Sequence, residues 1–448
     1  MFRQEAIFPV ERLNPAASYI TTRVYARAIA NSMESSPVII ATEAETAVTE
    51  TTDEATEAET EEATDSEMSI TEEASIEEGE SATEETSVQG EITLSENLED
   101  YTFSFDGVVY QLPCDYSLFK QNGWTIYDGS DKSESTELVG TSYDWFYLTN
   151  GDTKVDIYLY NPSGNVQEAK DCKVGKIEVS KHDEIDFSVA KGITFDSSVD
   201  EIKDAFGTPS DTYSGDSYQS LTYESDSDNY YEEVKFYVYD DTSYNYITLE
   251  NMVLSGEETE VSQDVPEYLS SYVAPTELPS DTEQPVFELD GKLYRLPCPL
   301  TEFTDDGWEI ESVDVKTINA GNYDYSALSI KKGDVELSLG MYNFAKVAVS
   351  TENAAVYKID FQHSEYSSGS VYGIPEDILK ASGGLTLKST ADEIKATVSS
   401  NFDEYISDSS DYKSYDYYKD NVSIKYTISS SDSYTSKSID IKNGNWDY

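Results

Sequence analysis

Basic residues are scarce in this 448-residue chain: 29 Lys and Arg stand against 89 Asp and Glu, a formal net charge of −60. Such a surface repels nucleic acid and anionic lipid, and its like charge opposes self-association, so a monomer that binds neither is expected. There are two histidines, and the three cysteines are too few for a disulfide-rich scaffold. No apolar run reaches the roughly 18 residues of a membrane-crossing helix, so membrane insertion is not expected. The chain contains no His-Glu-x-x-His pair, no Gly-x-Ser-x-Gly elbow and no phosphate-cradling glycine loop. These absences predict a non-enzyme with no cofactor and no metal ligands. What the chain has in excess is tyrosine, 36 residues. Tyr favours strands and pairs an apolar ring with a wet hydroxyl, which suits half-exposed sheets.

The charge is uneven. Residues 41–100 hold 22 Asp and Glu and no Lys or Arg. A segment of this kind cannot bury enough apolar area to offset its chain entropy, and it reads as a disordered acidic spacer rich in Glu, Thr and Ala. Random-coil scaling gives it a span of roughly 45 Å, lengthened by charge repulsion. Residues 1–40 form an atypical N-terminal segment. Its end, Ser35-Ser36-Pro37-Val38-Ile39-Ile40-Ala41, resembles the end of a secretory signal. A secreted or cell-surface location is therefore expected, with the export signal itself upstream or in a shifted reading frame.

Internal similarity organises the rest. Residues 103–126 align without gaps to 287–310, with 11 of 24 positions identical, among them Phe103/Phe287, Tyr110/Tyr294, Phe119/Phe303 and Trp124/Trp308. Tyr143–Asn161 aligns with Tyr325–Asn343, and Ile193–Phe206 with Leu385–Val398. Two copies of one α+β module are predicted, over 101–255 and 286–448, joined by a proline-bearing acidic linker at 256–285. Each should be mainly antiparallel sheet with short helices. Asp106-Gly107 and Asp290-Gly291 sit between alternating strands, the chemistry of a type I′ hairpin. A short helix near Phe119 and Phe303 should stop at Gly123 and Gly307, leaving Trp124 and Trp308 as core anchors. Period-two alternation at Val155, Ile157 and Leu159 gives a sheet with one wet face, which carries the Tyr. Ser198-Val199-Asp200-Glu201 and Thr390-Ala391-Asp392-Glu393 are capping boxes that open a second helix.

The run from Gly192 through Ser198, Glu201, Phe206 and Gly207 to Pro209, followed by Tyr-rich strands, resembles the helix-then-meander unit of the BamE-like and beta-lactamase-inhibitor-like family. The likeness covers roughly residues 192–250. It implies a short helix packed on antiparallel sheet and a role in binding other proteins. In the second copy Ser399 replaces the glycine and no proline follows. The whole arrangement also resembles uncharacterised secreted proteins of Gram-positive bacteria.

Structural roles absorb the obvious chemical candidates. The capping box accounts for Glu201, and its neighbour Asp200 points elsewhere on the helix. Cys114 and Cys298 occupy one equivalent position, while Cys172 has no counterpart. Small buried apolar residues are the favoured reading, with a Cys114–Cys172 bridge as the alternative. His182 and His363 fall one residue out of register, which argues against a shared role. Asp226-Ser227-Asp228-Asn229 lacks the glycine and glutamate of a calcium loop and reads as a solvated loop. What remains is a non-catalytic extracellular binding protein for a protein or glycan ligand, or an inhibitor-like module with one protein partner. Tyr158, Tyr160, Tyr230, Tyr237 and Tyr239 are the expected ligand-binding residues, since Tyr supplies area and a hydrogen bond at low entropic cost.

Overall fold

Alternating strands and Asp-Gly turns dominate the chain, and the computed structural model is accordingly mostly antiparallel sheet in two sheet-rich halves. It describes residues 93–127, 129–225, 231–254 and 259–446. The segment 1–40, nearly all of the spacer, residues 226–229 and Tyr230 lie outside the described residues.

The first half opens with β1 (Thr102–Phe105) and β2 (Val108–Gln111). Asp106 and Gly107 both have positive φ (47° and 82°), as a type I′ turn requires; Asp290 and Gly291 repeat this at 51° and 84°. The hairpin joins the short strand Phe187–Val189 in a three-stranded sheet. The main sheet is built from β3 (Ser142–Asn150), β4 (Thr153–Asn161), β5 (Lys173–Ser180), β6 (Asp211–Ser214), β7 (Tyr218–Glu224), β8 (Glu232–Tyr239) and β9 (Tyr246–Asn251). Its order is β6-β7-β8-β9-β5-β4-β3, with Thr125–Ile126 beyond β3. Helices α1 (Tyr116–Gln121) and α2 (Val199–Phe206) complete this half. The core joins Phe103, Phe119 and Trp124 to Phe146, Ile157, Ile177, Phe236 and Leu249.

The second half repeats the plan. Its small sheet holds β10 (Val286–Leu289), β11 (Lys292–Arg295) and Leu379–Ala381. Its main sheet holds β12 (Tyr323–Lys332), β13 (Val335–Tyr342), β14 (Ala355–Tyr366), β15 (Asp403–Asp408), β16 (Tyr412–Lys419), β17 (Val422–Ser430) and β18 (Tyr434–Asn443). The order is β15-β16-β17-β18-β14-β13-β12, with Glu309–Val313 at the edge. Helices α3 (Thr301–Thr304) and α4 (Ala391–Thr397) match α1 and α2. Both capping boxes form. The Ser198 and Thr390 hydroxyls accept the amides of Glu201 and Glu393, whose carboxylates reach back to the cap amides at 2.8 Å. These bonds hold both carboxyls below their usual range. Trp124 and Trp308 are buried alike, each donating its backbone N–H to the carbonyl of the helical Phe five residues earlier.

One alignment shifts. Tyr143 faces Tyr160 and Tyr323 faces Tyr342, so the counterpart of Tyr143 is Tyr323 and not Tyr325. A bulge between Asp324 and Leu328 absorbs two extra residues in β12. Ungapped alignment hides such a bulge because the ladder resumes in phase on both sides.

Contacts between the halves are backbone-rich. Gly140 donates to the Ala320 carbonyl (2.9 Å), Ala320 to that of Gly164 (2.8 Å), and Val166 to that of Lys346 (2.9 Å). The approach requires glycine: a Cβ on Gly140 meets the Gly164 oxygen at 2.3 Å. Buried Asn161 and Asn343 brace the loops behind this junction, their side-chain amides donating to the carbonyls of Leu138 (3.1 Å) and Ile318 (3.0 Å). The stretch from Thr259 onward is seated on these elements. Thr259 accepts the Gly164 amide at 2.7 Å, Ser262 donates to Ala348, and Tyr268 packs on Phe344 and Trp446.

All three cysteines are free thiols. Burial pushes Cys114 and Cys172 up to about 12 and raises Cys298 as well. Because the thiolate is the reactive form, a chromogenic disulfide reagent at pH 8 should label the native chain slowly and all three residues after unfolding. Fast native labelling, or a disulfide mass without reductant, contradicts this. Separately, Ser198→Ala and Thr390→Ala should each cost about 1 kcal/mol in urea unfolding; an unchanged midpoint in either removes the cap from the account.

Candidate functional site

Period-two alternation sends one set of side chains from the main sheet into the core and the other outward. In the first half the outward set is aromatic. Tyr237 on β8 lies opposite Tyr246 on β9, and their rings stack at 3.9 Å with planes 13° apart. Tyr239 lies opposite Tyr218 on β7, stacked at 5.0 Å. Tyr213 on the edge strand reaches Tyr218 at 5.1 Å and is 51% exposed. In the 3₁₀ turn between β8 and β9, Tyr244 (55% exposed) stands 6.2 Å from Tyr239 and 5.1 Å from the His182 ring. Six tyrosines and a histidine thus form one continuous group.

A second aromatic group lies across the same face. Trp145 and Tyr147 on β3 meet edge to face at 4.1 Å, and Tyr127 lies 6.5 Å from Tyr147. The Lys154 ammonium sits 3.3 Å from the Tyr147 ring centre, an attractive placement for a cation on a π face. Trp145 Nε1 donates to Asp156 at 2.7 Å. Burial raises the Asp156 carboxyl even so, with the Trp145 bond working against the rise. Between the groups runs a polar row in register from Thr222 through Lys235, Thr248 and Glu178 to Asp156. Beside it Lys176 bridges Glu178 (3.1 Å) and the buried Glu250 (3.2 Å). Desolvation pulls the Lys176 ammonium down, and the two carboxylates more than offset it.

Of the residues expected from sequence, Tyr237 and Tyr239 lie at the centre of the first group. Tyr158 is half-buried on the same face, with the Lys176 ammonium 4.9 Å from its ring. Tyr160 lies on the same side of the sheet, opposite Tyr143, but is covered. It is 1% exposed: the β3–β4 ladder runs unbroken through Tyr160, and the extra residue is Gly175, where β5 bulges opposite Tyr158 and Leu159. Gly175 makes room for its ring; a Cβ there would meet Tyr160 Cδ1 at 2.6 Å. Sequence reasoning missed Tyr213, Tyr218, Tyr246 and Trp145. The alternation of Tyr237 and Tyr239, then Tyr244 and Tyr246, was the available signal, and strand register was needed to join them.

The second half carries no rings at these central positions. By register, Thr427, Ser429 and Ser438 replace Tyr237, Tyr239 and Tyr246, and Gly340 replaces Tyr158. Asp440 and Asp360 continue the polar row, ending at Ser338 and Ser329. The histidines differ too: His182 lies in a 3₁₀ turn, whereas His363 on β14 is buried with Nδ1 2.7 Å from the Ile374 carbonyl. Among the described residues, no three His, Cys, Asp or Glu side chains gather where they could hold a metal ion. None of the described helices is long and apolar enough to cross a membrane.

No protein-family model matches the chain, and no curated protein matches its sequence. Among solved structures, it is similar to transferrin binding protein B, a vaccine antigen from Haemophilus parasuis, at 10% identity. That likeness covers 67% of this chain and 64% of the other, and its TM-score of 0.11 carries no argument about fold or function.

Proposed function

We propose that the chain is a non-catalytic extracellular or cell-surface binding protein, built from two α+β modules, whose ligand surface is the aromatic outer face of the first. The observation that carries this reading is the placement of the tyrosines. Thr427, Ser429 and Ser438 occupy the equivalent positions on an equivalent ladder, so the fold does not require rings there. Rigid aromatic side chains with polar tips offer contact area at little entropic cost. They suit an extracellular protein or glycan laid across the strands, with Lys235, Glu178 and Asp156 setting polar register.

A second reading is a protein-partner module of the BamE-like or inhibitor-like kind. It is favoured by the passage from the capped α2 directly into the meander β6 to β9. A third, a hydrolytic enzyme, has no observation in its favour.

Pull-down from extracellular extract and a glycan array, run in parallel, separate the ligand classes. The informative variant carries Tyr237→Thr, Tyr239→Ser and Tyr246→Ser together, transplanting the second half's residues onto the first. Retention should fall at least about tenfold, since truncating central aromatic contacts commonly costs 2 kcal/mol or more, while the circular dichroism spectrum stays that of sheet. Undiminished retention by the folded variant rules out this face.

A further inference from the structure

The second half closes on itself through one carboxylate. Glu283 accepts the Ser399 hydroxyl (2.7 Å), the Lys419 ammonium (3.0 Å) and the Asn401 amide (2.6 Å). Led by the Ser399 bond, these contacts hold its carboxyl down to about 2. The counterpart of Glu283 in the first half is Glu99. Leu112 donates to Tyr101 as Leu296 does to Pro285, and Lys191 donates to Ser95 as Gly383 does to Pro279. The partners, however, are gone. Gly207 and Pro209 stand where α4 is followed by Ser399 and Asn401. The pairs Tyr223–Val234 and Tyr417–Ile424 place Ser225 at the position of Lys419. Gly207 leaves α2 at φ 82° and ψ −152°, whereas Val398 leaves α4 extended at φ −65° and ψ 135°. The first conformation is open only to glycine, so the chain leaves α2 and α4 along different paths.

A cavity of about 390 Å³ occupies the place of the staple. Leu98, Tyr101, Phe206, Tyr223 and Val234 give it apolar walls, and Glu96, Glu99 and Glu224 stand at its rim. Among the described residues its one lining cation is Lys191, which donates to the Ala205 carbonyl at 2.6 Å and lies 5.7 Å from the Phe206 ring centre. The described lining residues therefore carry a net formal charge of −2, three carboxylates against one ammonium.

We propose that this cleft binds a primary alkylammonium group, which supplies to Glu99 the charge that Lys419 supplies to Glu283. The methylenes of such a ligand lie along Phe206 and Tyr223, the way a lysine stem covers apolar surface beneath its charged head. A lysine side chain of a polypeptide and a free polyamine both present this chemistry.

Calorimetric titration of the full chain with 1-aminopentane at 0.15 M salt tests it, with 1-pentanol as the uncharged control. Saturable binding of the amine alone is expected. Glu99→Gln should weaken it about fivefold, the upper range for one exposed ion pair. Ser225→Lys, which installs the second half's own ammonium beside Glu99, should abolish it. Tighter binding of Nα-acetyl-lysine methylamide assigns the cleft to a polypeptide, and tighter binding of spermidine to a polyamine. Equal binding of pentanol, or unaltered binding by both variants, overturns the proposal.

Discussion

A stack of three rings holds each half together. In the first, Phe103 on β1 stacks on Tyr110 of β2 at 5.4 Å, and Tyr110 on Phe119 of α1 at 4.3 Å. In the second, Phe287, Tyr294 and Phe303 repeat it at 5.4 and 4.4 Å. All six rings are buried. The stack fastens the small sheet to the helix, and both then cover one face of the main sheet. Offset stacking adds roughly 0.5–1.5 kcal/mol per pair beyond the area buried. It also fixes where the covering layer sits. With one face committed to the core, every second residue of β7, β8 and β9 must point outward, and the aromatic face follows from that constraint.

This division explains which features were legible in the sequence. The Asp-Gly turns, the capping boxes and the two Trp anchors each depend on a few adjacent residues, and each forms as the sequence predicts. The ring stack is legible as well, because its members lie within 17 residues of one another and are identical in both copies. Bulges are different. Nothing in the residues from Lys154 to Asn161 says that the ladder skips between Tyr158 and Leu159; the partner strand β5 imposes it, with Gly175 yielding the space. Tyr160 therefore read as surface and is buried. The face was only half legible for a related reason: Tyr218 and Tyr239 are distant in sequence and meet only once the register of β7 and β8 is known.

The halves share a scaffold and differ in what they leave uncovered. The first carries rings at the centre of its outer face and an open cleft behind α2; the second carries hydroxyls at those central positions, with Tyr366 and Tyr434 paired elsewhere, and a carboxylate staple. Both differences arise at positions the ladder tolerates, and neither disturbs the ring stack. Fixed backbone bonds at Gly140, Ala320 and Gly164 hold the unlike surfaces in one arrangement, so a ligand meeting the first half meets a support that includes the second.

The open edges of the two main sheets show a further use of acidity. The edge strand Asp211–Ser214 is exposed throughout, and Asp403–Asp408 nearly so. Each offers unpaired backbone groups to any passing strand, the geometry from which fibrils grow. Asp211, Asp403, Glu404 and Asp408 line these edges, on a chain whose net charge is already −60. An incoming strand from a like molecule must bring its own carboxylates against them. The same acidity thus guards the sheets against each other.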